Sequence, residues 1–164
     1  MIDVEKKAQL ATQLKAEGYN CAQAVFAAFA EDYGIDKATA VRITAGLGGG
    51  VAKMKGVCGA YLGAAMLSGL EEGSVDPADM AGKEHAYKVA QDLAMRFKEQ
   101  NGSTICAELR GLKPNPDVKE IIPCGTLVER AARIYAEYLN AKKHKKSLLL
   151  EKNTIYTQIK CIFA

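Results

Sequence analysis

Apolar and small residues recur along this chain at helical spacing. Val4, Ala8, Ala11 and Leu14 fall on one face of a helix expected from Val4 to Glu17 and ended by Gly18. Asn20 is a good N-cap for Cys21–Ala30, which is apolar nearly all round and is expected to lie in the core. Gly34 ends it, and Asp36 caps a third helix reaching about Ala45. Beyond a glycine-rich loop, Cys58 to Leu70 reads as a helix of small residues (Gly59, Ala60, Gly63, Ala64), suited to close approach by a neighbour. Asp76-Pro77-Ala78-Asp79 is expected to open a long polar helix ending near Asn101-Gly102, with a cap, proline at the first helical position and acids in the first turn. Ser103-Thr104 caps a short helix, Ile105 to Arg110, stopped by Gly111. Thr126 and Glu129 have capping-box spacing for the last strong helix, whose buried face would carry Leu127, Ala131, Ile134, Tyr135, Tyr138 and Leu139. The pattern predicts one all-α domain of six or seven helices, over residues 1–146, with no strand.

The end of the chain breaks the pattern. In residues 147–164 an apolar patch, Leu148-Leu149-Leu150, precedes a strand-like alternation of Ile155, Thr157, Ile159, Cys161 and Phe163. This extension is expected to pack on the domain, exchange with a neighbouring chain, or remain irregular. Cys161 is given no role.

The densest local signal is glycine. Seven of the fifteen glycines lie between Gly46 and Gly63, so the backbone there must turn tightly or press against something, for which a cysteine sulfur is the candidate. A phosphate loop is excluded by spacing. G-x-G-x-x-G from Gly46 meets Val51 and from Gly48 meets Lys53, and no G-x-x-x-x-G-K-[ST] occurs.

At 164 residues, 49% of them hydrophobic, the chain can bury a core, and no apolar run is long enough to span a bilayer. The N-terminus lacks a secretory layout, so the expected location is cytoplasmic. The net charge of +3 is concentrated at the end: six lysines against one glutamate follow from Lys142 onward, and the body is mildly acidic. No basic stripe for nucleic acid results, and Lys142-Lys143-His144-Lys145-Lys146 reads as a solvated helix end. His85, on the long polar helix, reads as a rim residue.

Five cysteines without a signal peptide argue for thiols rather than a disulfide framework. Cys21, Cys58, Cys106 and Cys124 each fall at or just before the first turn of an expected helix. Unsatisfied N–H groups and the positive end of the helix dipole favour a thiolate there, so all four thiols are expected to ionise more readily than usual. A thiolate is both the nucleophile of thiol chemistry and the ligand of soft metals. Four such positions point to a common site. Lys53 and Lys55 would bring positive charge near it, although exposed loop lysines are common, and Tyr61 shares the Cys58 helix face.

Asn20-Cys21-Ala22-Gln23, the Gly46–Gly50 loop, Cys58-Gly59-Ala60-Tyr61-Leu62-Gly63, Cys106 and Cys124 together resemble the redox-active proteins of the C_GCAxxG_C_C family. The resemblance covers roughly Ala8 to Leu139. Where the family label writes Gly-Cys-Ala, this chain has Cys58-Gly59-Ala60. The resemblance implies a redox role for the four cysteines. A related domain in split-Soret cytochromes is associated with non-haem iron, which implies an iron–sulfur site here. With no C-x-x-C-H in the chain, covalent haem is not expected.

Four readings follow. In the first, Cys21, Cys58, Cys106 and Cys124 hold an iron–sulfur cluster for electron transfer to a redox partner protein. Four thiolates are the usual ligand count, although the spacings of 37, 48 and 18 residues match no standard ferredoxin. In the second, a metal-free thiol–disulfide protein uses Cys58 as the attacking thiolate and one of the other three as resolving thiol. A structural zinc site is third, weakened by the lack of close ligand pairs. The last is buried cysteines in an ordinary helical core, alone or in a homodimer.

Overall fold

The structure is a computed structural model that describes the backbone of residues 1–162 and the side chains of residues 1–150. The described residues form seven α-helices: α1 (Val4–Ala16), α2 (Cys21–Ala30), α3 (Lys37–Ile43), α4 (Gly59–Glu72), α5 (Met80–Asn101), α6 (Cys106–Leu109) and α7 (Cys124–Ile162). Single 3-10 turns at Glu31–Tyr33 and Ala45–Leu47 extend α2 and lead into the glycine loop. Among the described residues the only β pairing is one isolated antiparallel bridge, Val57 with Ile105. The all-α expectation holds, and no helix among the described residues is long and apolar enough to cross a membrane.

Helix α2 is the centre of the fold, as its composition implies: eight of its ten residues are buried. It packs against α1, α3, α4 and α7. Its approach to α4 depends on glycine. A Cβ at Gly63 would lie 2.9 Å from both the Ala22 carbonyl oxygen and the Val25 Cβ, and one at Gly59 would lie 3.3 Å from the Ala22 nitrogen. Phe29 meets Tyr135 of α7 edge-to-face, with ring centroids 5.0 Å apart, which adds about 0.5–1.5 kcal/mol beyond burial.

Several boundaries differ from the sequence expectation, each for a local reason. Asp76 does not open α5. Its Oδ1 accepts the Ala78 N–H in a separate turn, and Asp79 is the N-cap, accepting from the Gly82 N–H at 2.8 Å. Ser103 reaches α6 through the preceding residue: its Oγ accepts the Ile105 N–H and donates to Glu108 at 2.5 Å. Thr126 is not an N-cap, because α7 already begins at Cys124, immediately after Pro123; Glu129 pairs with Arg133 instead. The buried face predicted for α7 is observed, with Leu127, Ala131, Ile134, Tyr135 and Leu139 buried and Tyr138 half-buried.

The largest correction concerns the tail. The strand-like alternation after Ser147 does not produce a strand, since α7 continues through it to Ile162. At 1.5 Å per residue, its 39 residues span about 58 Å. Side chains from Lys143 to Leu150 are exposed, so the helix leaves the body after Lys142, whose ammonium pairs with Glu71 (2.7 Å) and Glu72 (2.5 Å) on α4. Helix propensity propagated from an anchored helix outweighs a short period-2 pattern with no sheet to join. The side chain of Cys161 and residues 163–164 lie outside the described residues.

Candidate four-cysteine site

The four cysteines stand at four helix starts, as expected. Cys21 is the first residue of α2, Cys58 the N-cap of α4, Cys106 the first residue of α6 and Cys124 the first residue of α7. The elements that gather them are specific.

Cys21 is fixed by a full capping box. Asn20 Oδ1 accepts the Gln23 N–H at 3.0 Å while Gln23 Oε1 accepts the Asn20 N–H at 2.9 Å. Both amides reach further, Asn20 to the Ala45 carbonyl and Gln23 to the Val41 carbonyl, which ties the start of α2 to the approach of the glycine loop. Cys58 and Cys106 flank the Val57–Ile105 bridge. The Cys58 N–H donates to the Thr104 carbonyl and the Cys106 N–H to the Gly56 carbonyl, each at 2.7 Å. With alternation about that bridge, the two cysteines share one of its sides. Gly59, next to Cys58, lies against Cys21, where an added Cβ would come within 3.4 Å of the Cys21 Cβ. Cys124 joins the group near Cys21, where each of the two thiols shifts the other's ionisation.

The glycine loop wraps this assembly in an uncommon conformation. Gly49, Gly50, Val51, Ala52 and Lys53 are consecutive residues with φ between 49° and 74°, and Lys55 follows at 63°. This is a left-handed turn, closed by bonds such as Ala52 N–H to the Gly46 carbonyl (2.8 Å) and Gly56 N–H to the Gly50 carbonyl (2.9 Å). Glycine adopts it freely, but Val51, Ala52, Lys53 and Lys55 each cost about 1–2 kcal/mol, and a β-branched residue such as Val51 is an outlier there. Strain of this kind is retained where surrounding structure demands it. Here the demand is visible: Gly50 sits so close to Cys106 that a Cβ would come within 2.7 Å of the Cys106 Cβ.

The thiols do not ionise alike, and this corrects the expectation that all four are activated. Burial pushes Cys58 up to about 11, although the nearby backbone N–H groups of Ala60 and Tyr61 pull the other way. Burial also raises Cys106, against the nearby Lys55 and Arg110 charges. Cys21 is raised by the neighbouring Cys124 thiol and by burial. Only Cys124 is lowered, chiefly by the neighbouring Cys21 thiol and then by the positive charges of Arg110, Lys15 and Lys55. It is also the only half-buried member; the other three are buried. The helix N-terminus is therefore outweighed by desolvation wherever the sulfur is enclosed.

Three cations thus face the site, and each is held beside a cysteine. Lys15 Nζ donates to the Tyr19 carbonyl ahead of Cys21, Arg110 donates to the Ile122 carbonyl ahead of Cys124, and the Lys55 carbonyl accepts the Ala107 N–H beside Cys106. Lys55 was legible in the sequence as a loop cation. Lys15 and Arg110 were not, because nothing in their local sequence signals proximity. Tyr61 is half-buried and donates to the Ala90 carbonyl at 3.1 Å, and His85 is an exposed residue paired with Glu72 at 3.0 Å, away from the cysteines.

Among the described residues, no three His, Cys, Asp or Glu side chains are arranged to hold a single metal ion. Cys58 and Cys106 lie on one side of the Val57–Ile105 bridge, and Cys124 bears on the ionisation of the other three.

Residues 19–138 match the model of the family described as "Putative redox-active protein (C_GCAxxG_C_C)". The chain belongs to the C_GCAxxG_C_C family. The matched segment begins just before Asn20 and contains all four helix-start cysteines, together with the left-handed loop and Arg110. The part of α7 beyond Tyr138 lies outside it, as does Lys15. No curated protein and no solved structure matches the chain.

Proposed function

We propose that this C_GCAxxG_C_C protein is an electron carrier whose centre is an iron–sulfur cluster held by Cys21, Cys58, Cys106 and Cys124. The observation that carries the reading is the gathering of four cysteines from four distant segments, so close that the ionisation of each bears on others of the set. The donor set fits. Four cysteine sulfurs are the ligand count of [2Fe–2S] and [4Fe–4S] clusters.

When bound, such a cluster supplies one-electron chemistry; the rest is the work of the chain. Three buried cysteines keep bulk water from the sulfurs. The Ala60 and Tyr61 N–H groups near Cys58 favour negative charge on that sulfur, as do Lys15, Lys55 and Arg110 around Cys21, Cys106 and Cys124. Hydrogen bonds and charge of this sign favour the reduced state and raise the potential. The half-buried Cys124 marks the edge through which a redox partner would approach.

The test is anaerobic reconstitution of the protein with iron and sulfide, followed by a dithionite titration monitored by visible absorption. A brown chromophore that bleaches on reduction and returns on reoxidation supports electron transfer. A colourless, iron-free protein would refute it.

A further inference from the structure

Three large apolar side chains stand in solvent around the single turn of α6: Met54 is 73% exposed, Leu112 64% and Ile121 63%. They come from three segments, each tied to that turn by its backbone. The Lys55 carbonyl accepts the Ala107 N–H at 3.0 Å, the Ala107 carbonyl accepts the Leu112 N–H at 2.8 Å, and the Leu109 carbonyl accepts the Ile122 N–H at 3.2 Å. Gly111 lets Ile121 approach, since an added Cβ there would lie 2.9 Å from the Ile121 Cδ1. Cys106 opens this same turn, and the half-buried Cys124 follows Ile121 by three residues. Exposed apolar residues scattered singly are ordinary, but a group of them marks a contact surface.

The charges beside the patch are mostly basic. Met54 stands between Lys53 and Lys55, and Leu112 is followed by Lys113; all three lysines are exposed. Glu108, on α6 itself, is engaged internally: it accepts from Ser103 and Asn115 and pairs with Lys113 at 3.8 Å. Glu120, beside Ile121, is exposed and opposes the local sign. The basic rim contrasts with the mildly acidic body of the chain.

We propose that this patch docks an acidic electron-transfer protein, with apolar residues of that partner on Met54, Leu112 and Ile121 and its carboxylates on Lys53, Lys55 and Lys113. The proposal rests on the electron-carrier reading above and gives that centre its partner. An apolar middle with a charged rim is the anatomy of a protein interface, and opposite charge speeds encounter. A small contact of this kind suits a partner that must leave after each transfer. It would seat the partner over Cys106 and Cys124. A second copy of the chain on the same patch would bring two basic rims together, which argues against it.

The test uses the full chain, purified anaerobically, with a small acidic flavodoxin as probe and a basic c-type cytochrome as counter-probe. Affinity is measured at low and high salt, and the complex is treated with a carbodiimide, which joins lysines to carboxylates. The expected result is saturable flavodoxin binding that weakens as salt rises, with cross-links from Lys53, Lys55 or Lys113. Leu112→Ser and Ile121→Ser should each weaken binding by about fivefold or more. Lys113→Glu should weaken it at low salt only, and Glu120→Lys should strengthen it. Far-UV circular dichroism checks that each variant is folded, and the cross-link map of the wild type decides the matter even where one is not. No binding, equal binding of the cytochrome, or cross-links confined to Lys143, Lys145 and Lys146 would overturn the proposal. So would self-association, or tighter binding to phosphatidylglycerol vesicles than to flavodoxin, that Leu112→Ser abolishes. Binding is read without electron transfer, so the two readings fail separately. A chain that binds flavodoxin as described yet holds no iron contradicts the cluster alone, and an iron-loaded chain that ignores flavodoxin contradicts the docking surface alone.

Discussion

Replacing Gly50 by alanine tests whether the left-handed loop is built around the cysteine site. At φ 74° the substituted residue would carry a Cβ in the left-handed region, at about 1–2 kcal/mol. That Cβ would also lie 2.7 Å from the Cys106 Cβ, 2.8 Å from the Gly56 nitrogen and 2.9 Å from the Lys55 carbonyl carbon. Two of those atoms are backbone and cannot rotate away, so overpacking adds about 1–3 kcal/mol. The expected destabilisation is about 2–5 kcal/mol. In urea this lowers the unfolding midpoint by about 1–2 M. The control is Gly46→Ala, a few residues earlier, where an added Cβ meets nothing within 4 Å and φ is not positive. It should be neutral or slightly stabilising. Both variants should be measured as reduced, metal-free protein, so that ligand binding does not enter the transition. Equal midpoints for Gly50→Ala and Gly46→Ala would refute the packing argument.

Further predictions follow from the same geometry. Within α4, Gly63→Ala should be less stable than Gly69→Ala by about 1–3 kcal/mol by thermal or urea unfolding, because only Gly63 is pressed against α2. Alkylation of Cys124 by iodoacetamide should reach its plateau at lower pH than that of Cys58, since its thiolate persists to lower pH; Arg110→Gln should move the Cys124 profile upward. Glu72→Gln should destabilise by about 1–3 kcal/mol, because its side chain is only 8% exposed and accepts from Tyr138 and Lys142. Burial raises the Glu72 carboxyl, but bonds from Lys142, Tyr138 and His85 outweigh it and hold it below the ordinary 4.5. Its contribution to stability is therefore full above that value and is lost as pH falls through the lower folded value, so the wild type and Glu72→Gln should converge in acid.

The sequence made the helices legible wherever local chemistry and tertiary demand agree. Asn20 and Gln23 announce the start of α2 because a capping box is a local device, and Gly63 announces close packing because only a small residue serves there. The placement of the four cysteines at helix starts was legible, because caps and first turns are local signals. What could not be read was non-local. Val51-Ala52-Lys53 has no intrinsic preference for left-handed backbone; its conformation is imposed by closure onto Cys106. Lys15 and Arg110 become part of the site only through folding. The unequal thiols follow from burial, which opposes the helix dipole and cannot be judged from position along a helix. The tail misled for the opposite reason, since its alternation is a local pattern without a neighbouring strand to realise it.

The central claim is that four cysteines make one redox centre, and iron and acid-labile sulfide content measured across single variants tests it most directly. Wild type and Cys21→Ser, Cys58→Ser, Cys106→Ser, Cys124→Ser and Cys161→Ser would be purified and reconstituted anaerobically, side by side. The account predicts iron with matching sulfide in wild type and Cys161→Ser, and marked loss in each of the other four. Wild type without iron, or iron retained when any one of those four is replaced, would contradict it.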